Sequence, residues 1–250
     1  MNYDTKDEKT VNIGNQDKLV FVFVMLEIIL YISFLLLDLL SIASTFSNIL
    51  KYSSICICLL FVSNRFFVCK SKSAGIMMSI LIFTVIADTF LIFCISFEFG
   101  VGAFIIVQIL YSIKIRCMHQ DDCKKYMFEV FGVAFLWNLF ILVMKNLNLL
   151  TPIVVIASLY FTIFTGNMIR VWIGIVRDKK RSFYESSFAM GLLFFYLCDI
   201  NVGLKNISMI ESLIPYLNRL LAVNFGFIIW LFYLPSQVIL SLHSVIYCDE

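Results

Sequence analysis

The sequence predicts an all-α polytopic membrane bundle of about eight transmembrane helices, with both termini cytoplasmic. Three observations predict it. The 250 residues are 61% hydrophobic and only 14% charged, against about 45–50% apolar and about 25% charged in soluble domains. The mean hydropathy is +0.95. The apolar residues also fall in continuous runs long enough to span a bilayer, which takes about 20 residues per helix. Alternation at every second residue is absent, which excludes a β-barrel. Three prolines and ten glycines are too few for a disordered or collagen-like chain. A net charge of +2 gives no basis for nucleic-acid binding.

Residues 1–18 carry Asp4, Lys6, Asp7, Glu8, Lys9, Asp17 and Lys18 and are expected to form a polar cytoplasmic tail. No cleavable signal pattern follows them, so residues 19–246 are expected to make one transmembrane helical domain. The expected spans are approximately 19–40, 49–66, 75–95, 98–113, 127–145, 149–170, 186–204 and 217–244. The second and fourth are short. The last contains Pro235, which removes a backbone donor and predicts a kink.

Charge gives the bundle its direction. Lys and Arg concentrate on the cytoplasmic side of membrane proteins. With eight spans, the tail and loops 2–3, 4–5 and 6–7 share one side and hold 15 of the 19 basic residues. Lys51, Lys145, Lys205 and Arg219 are left for the other. Seven spans would break this alternation. The same bias serves a bacterial plasma membrane and an endoplasmic reticulum, so both compartments stay open.

The loops are too short for a soluble domain, so chemistry must come from helix faces. No phosphate-binding loop or nucleophile elbow occurs. An ionisable group in a spanning helix costs about 2.5–3.5 kcal/mol on insertion scales and is a functional candidate by default. Glu27, Asp38, Asp88 and Asp199 are such groups, with Lys51 starting span 2. Asp38 is near a span end and is expected to reach interfacial water. Glu27 is expected to be paired or to join helices. Asp88 and Asp199 have long apolar stretches on both sides. In the proposed topology Asp38, Asp88, Asp199 and Lys51 share the outer half of the membrane, where one polar cluster is possible.

Gln108, Asn138, Asn224 and Gln237 are the uncharged candidates. Thr84 shares a helix face with Asp88. Gly191 and Gly203 share one with Asp199, where small residues permit close approach.

Eight cysteines do not imply a disulfide framework. Cys56, Cys58, Cys94 and Cys198 lie in spans and act as small apolar groups. Cys69, Cys117, Cys123 and Cys248 are expected on the reducing side. The loop with Cys117, His119, Asp121, Asp122 and Cys123 matches no zinc spacing, so no metal and no cofactor are expected.

Around these acids the sequence resembles the YhhN-like lysoplasmalogenase family of membrane proteins. Lys51-Tyr-Ser-Ser54 is similar to its Lys-initiated second span, without the usual following proline. Ala87-Asp88-Thr-Phe-Leu91 is similar to G-D-x-x-L. Gly100-Val-Gly102-Ala103-Phe104-Ile-Ile-Val-Gln108-Ile-Leu-Tyr111 is similar to G-x-G-A-F-x-x-x-H-x-x-Y, with Gln108 in place of His. Cys198-Asp199-Ile-Asn-Val202-Gly203 is similar to S-D-x-x-L-A. Tyr233-Leu-Pro235-Ser-Gln237 is similar to a Y-x-x-A-Q ending. The basic residue expected seven after the second Asp is Asn206, with Lys205 adjacent. The likeness covers roughly residues 45–245.

The resemblance implies cleavage of the vinyl-ether bond of lysoplasmalogens, giving a fatty aldehyde and a glycerophospho-headgroup. One carboxylic acid protonates the vinyl carbon, and a second carboxylate stabilises the oxocarbenium ion and activates water, as carboxyl pairs do in glycosidases. Two neighbouring acids in an apolar site can share this work at neutral pH. Asp88 and Asp199 are the implied catalytic pair. Lys51, Gln108, Tyr111, Tyr233 and Gln237 are the implied substrate-binding residues, Lys51 attracting the lipid phosphate and the others positioning water or the headgroup. The implied partners are a lysophospholipid substrate and membrane lipids. A non-catalytic transporter or lipid-binding relative is the alternative, because buried acids also mark ion pathways.

Overall fold

The computed structural model describes the backbone of residues 4–94, 96–119, 123–146, 148, 150–177, 183–208 and 225–246, and the side chains of most of these from residue 17 onward. Eight α-helices and no strand occur among the described residues: α1 (Asp4–Leu39), α2 (Ser44–Cys69), α3 (Lys72–Thr89), α4 (Phe97–His119), α5 (Cys123–Asn146), α6 (Pro152–Arg177), α7 (Phe183–Ser208) and α8 (Phe225–Ile246). Seven carry described stretches long and apolar enough to cross a membrane, and in α5 the described apolar stretch is the shorter Phe131–Asn146. The protein is an integral, multi-pass helical bundle.

The helices outrun the apolar runs that predict them. The second and fourth spans, expected short, are 26 and 23 residues long. Their polar flanks, such as Ser44–Asn48 and Lys114–His119, stay helical because backbone hydrogen bonding continues regardless of side-chain polarity. The polar tail is likewise helical from Asp4 in α1. The expected start of the last span, residues 217–224, lies outside the described residues. Pro235 sits within α8 without ending it.

Local chemistry sets the turns. Lys70 adopts φ 51° and its N–H closes α2 on the Phe66 carbonyl at 2.7 Å, a left-handed termination. Ser71 then caps α3, accepting from the Ala74 N–H at 3.1 Å, as N-cap serines do. Between α1 and α2, Ser41 and Ala43 take φ 54° and 51°, which folds the two helices into a hairpin.

The core lies among α1, α2, α3, α4, α6, α7 and α8. Phe34, Ile55, Val62, Met77, Leu81, Val107, Phe164, Phe188, Phe195 and Leu240 are buried there. Gly191 is small because α8 crosses it closely: a Cβ at that position would stand 2.7 Å from Leu240. Gly203, on the same helix, has nothing within 4 Å of that point. The outer surface is apolar, with Phe21, Ile29, Leu60, Phe67, Phe135 and Val176 exposed, as a lipid-facing surface requires. α5 packs on α6 at the edge of the bundle.

Three polar residues near the ends of expected spans, Arg65, Lys114 and His243, are helical and each 1% exposed. Lys114 donates to Ser73 Oγ at 2.9 Å and lies over the Phe188 ring. Cys69 is disulfide-bonded, with its partner outside the described side chains, so the expected reduced thiol is not found there. Its position at the very end of α2 leaves it open to a second thiol beyond the helix. Residues 120–122 of the 4–5 loop lie outside the described residues.

Candidate active site

Asp88 ends α3 and is 4% exposed. The chain continues past it as a π-helical turn, Phe90–Cys94, a feature common at functional sites. Gly100 shapes this corner. A Cβ there would lie 2.6 Å from the Leu91 side chain and 3.4 Å from the Ala87 carbonyl, so only glycine lets the start of α4 come this close to the Asp88 turn. The Tyr233 hydroxyl of α8 donates to Asp88 Oδ2 at 2.7 Å.

Asp199 lies in α7 and is half-buried. It accepts a short hydrogen bond from the Tyr160 hydroxyl of α6. The two aspartates are 111 positions apart in the chain, yet the tyrosines that hold them belong to one aromatic group, with Tyr233 against Phe195 and Tyr160 against Phe104, which itself packs on Phe195. The structure therefore brings Asp88, Asp199 and Tyr233 together and adds Tyr160.

The walls are aromatic. Phe104 packs against Tyr160 and Phe195, and Phe195 against Tyr233, with centroids 6.1, 5.8 and 5.7 Å apart. Trp230 meets Tyr233 edge-on at 5.1 Å. An apolar lining with a few convergent polar groups is the usual form of a small-molecule site.

Gln108 acts at one remove. It does not touch either aspartate, but its Nε2 faces the Tyr160 hydroxyl at 3.5 Å. Asn167 Nδ2 donates to the Gln108 side-chain and backbone oxygens at 3.2 and 2.9 Å. Ser112 Oγ in turn donates to Asn167 Oδ1 at 2.6 Å. All four residues are buried.

Lys51 is not part of this group. Its ammonium binds Asp38 at 2.7 Å and lies over the Phe34 and Trp230 rings. Ser47 also donates to Asp38, at 2.6 Å. The single polar cluster of three aspartates and a lysine is therefore split in two. The α1–α2 hairpin brings Asp38 and Lys51 together, and the Trp230 ring lies between that pair and Tyr233.

The last two expected residues, Tyr111 and Gln237, hydrogen-bond neither aspartate. Tyr111 is fully buried between Phe188 and Phe195, near Cys58. Gln237 is fully buried one turn beyond Tyr233. Neither the Tyr111 hydroxyl nor Gln237 Oε1 has a hydrogen-bond partner among the described residues. Glu27 is 2% exposed and accepts hydrogen bonds from Ser54 and Cys58, so it joins α1 to α2. Asn138 is exposed and bonds only its own helix, at Ala134. Asn224 lies outside the described residues. Thr84 turns back to the Ile80 carbonyl.

Sequence reasoning missed Tyr160, Asn167 and Ser112. A signal existed. Tyr160 and Asn167 are seven apart in α6 and Gln108 and Ser112 four apart in α4, so each pair shares a helix face. Tyr and Ser are common enough in spanning helices that the spacing alone did not stand out.

No protein-family model matches the chain, and neither a curated protein nor a solved structure matches it significantly.

Proposed function

We propose that the chain is a membrane-embedded hydrolase resembling lysoplasmalogenases, cleaving the vinyl-ether bond of a lysoplasmalogen. The observation that carries this reading is the meeting of Asp88 and Asp199 in one aromatic-walled site, each on a tyrosine hydroxyl and neither with a Lys or Arg partner among the described residues. A structural carboxylate in a membrane helix is normally matched by a cation or neutral donors that use up its capacity. Two adjacent acids without a cation suit a reaction that passes a proton and stabilises a positive charge.

The chemistry closes. A carboxylic acid gives its proton to the vinyl β-carbon, and the ether-bearing carbon becomes an oxocarbenium ion. The second carboxylate faces that charge and takes a proton from the attacking water. The hemiacetal formed collapses to a fatty aldehyde and the freed hydroxyl of the glycerophospho-headgroup. Water is the one co-reactant. Gln237 Oε1 and the Tyr111 hydroxyl offer buried polar atoms to position it. The lysolipid reaches the half-buried Asp199 from the bilayer.

A proton-coupled transporter is the second reading. It is favoured by the buried polar groups Tyr233, Gln237 and Ser241, spaced one turn apart along α8. Incubating purified protein with lysoplasmalogen separates the two. Aldehyde release supports the hydrolase. Substrate-driven proton flux in proteoliposomes, with the lipid recovered intact, replaces it with transport.

A further inference from the structure

The two aspartates are not equivalent, because the hydrogen bonds reaching them have different freedom. The Gln108 backbone carbonyl can only accept, so the Asn167 amide atom 2.9 Å from it is the NH2 group, which also faces the Gln108 side chain. Asn167 Oδ1 is thereby turned to Ser112, whose Oγ, 2.6 Å away, donates to it. The Gln108 amide oxygen is then occupied, so its NH2 must face Tyr160. An amide NH2 donates and cannot accept. The Tyr160 oxygen therefore accepts from Gln108, and its one proton can go only to Asp199. Asp199 is held as an acceptor by a relay running from α4 through α6 to α7.

No such relay stands behind Tyr233. Its hydroxyl bonds Asp88, and its ring packs on Trp230 and Phe195. Phe195 has no donor, the Trp230 indole N–H makes no hydrogen bond to the Tyr233 oxygen, and among the described residues the Tyr233 hydroxyl bonds only Asp88, so nothing there fixes the direction of its proton. Tyr233 can donate to an Asp88 carboxylate or accept from an Asp88 carboxylic acid. Asp88 is also the more enclosed of the two, 4% exposed beside the half-buried Asp199.

We infer that Asp88 is the proton donor of the pair, that Asp199 is the carboxylate, and that Ser112, Asn167, Gln108 and Tyr160 are positioning residues that enforce this order. The inference rests on the hydrolase reading for its chemistry, but the placement of the proton is a property of the resting protein. The other titratable groups facing the pair are Cys56 on α2, Cys198 on α7 and the two tyrosines. The direction of the Tyr160 hydrogen bond is what breaks the symmetry. In the reaction, the Asp88 proton goes to the vinyl carbon. Asp199 takes a proton from water and returns one to Asp88 when the hemiacetal collapses.

Two measurements test it. The first is the carboxylic C=O stretch in the infrared spectrum of purified protein at neutral pH, which needs no activity. Asp88→Asn is expected to remove one protonated-carboxyl band that Asp199→Asn retains. A band lost in Asp199→Asn, or a spectrum unchanged in Asp88→Asn, overturns the order. The second is the pH profile of aldehyde release. Activity rises with pH as the base ionises and falls as the acid does. Removing a donor from the carboxylate should move the acidic limb to higher pH by about one unit. Tyr160→Phe should do this and leave the alkaline limb in place; Ser112→Ala, which loosens the relay without removing that donor, should move the same limb by less, and Ser112→Thr, which keeps the hydroxyl, should restore the wild-type profile. A Tyr160→Phe shift confined to the alkaline limb contradicts the assignment. Absence of aldehyde release from wild-type protein defeats the hydrolase reading instead, and the infrared result still decides where the proton sits.

Discussion

Asp38 and Asp88 are both aspartates near the C-terminal end of a helix long enough to cross a membrane, and the structure treats them in opposite ways. Asp38 is matched by Lys51 at 2.7 Å and by Ser47. The pair closes the α1–α2 hairpin and is complete in itself. Asp88, with Asp199 beside it, has tyrosine hydroxyls in place of a cation. The difference teaches how to separate structural from reactive acids in a membrane. Neutralisation by a lysine uses up a carboxylate. A hydroxyl leaves its charge and its proton available. Glu27 falls between them, held by Ser54 and Cys58 without a cation, in a part of the bundle where it links two helices.

Substitutions at these acids and their partners test this contrast. The largest effect is expected at the tyrosine-held pair. Asp88→Asn or Asp199→Asn should lower aldehyde release by about 100-fold or more, the usual scale for losing general acid or base catalysis. Thermal unfolding in detergent should stay close to wild type for both. A variant retaining full rate would place that aspartate with Asp38 on the structural side.

The next effect falls on stability. Lys51→Met strands Asp38 and should cost about 3 kcal/mol, the lower end for breaking a buried pair, because Asp38 retains some exposure. The double variant Asp38→Asn with Lys51→Met should recover much of the melting temperature. No recovery would mean that packing on Phe34 and Trp230, not charge matching, is the main role of Lys51.

Glu27→Gln keeps the shape and one of the two oxygens that Ser54 and Cys58 use, and its NH2 can donate to the Ser54 hydroxyl or the Cys58 sulfur in place of the other. Its melting temperature and rate should change much less than those of the aspartate variants. A loss of activity as large as that of Asp88→Asn would move Glu27 into the reactive class. The smallest effect belongs to Asn138→Leu. Its side chain is exposed and bonds only Ala134, so stability should stay within about 0.5 kcal/mol, as followed by thermal melting.

The sequence made the helices legible because apolar length is read directly by the bilayer. Their ends were not, since Lys114 and Arg65 remain helical and are buried by neighbouring helices that no local pattern reveals. Asp88 and Asp199 stood out as exceptions to an apolar background. Their juxtaposition depended on how α3, α7 and α8 pack, which the spacing within one helix does not encode. Lys51 looked available for a phosphate because its partner lies thirteen residues back, across a turn set by two residues with positive φ. Tyr160 and Asn167 escaped notice because tyrosine and asparagine are unremarkable singly. Only the hydrogen-bonded order from Ser112 to Asp199 gives them a role.

Protonation of a vinyl ether by the tyrosine-held pair is tested most directly by comparing two lysolipids of the same headgroup, one with a 1-alkenyl and one with a 1-acyl chain, each incubated with purified wild-type protein. Fatty aldehyde is expected from the alkenyl lipid and no fatty acid from the acyl lipid, since carbon protonation does not cleave an ester. An alkenyl lipid recovered intact, or fatty acid released from the acyl lipid, would contradict it.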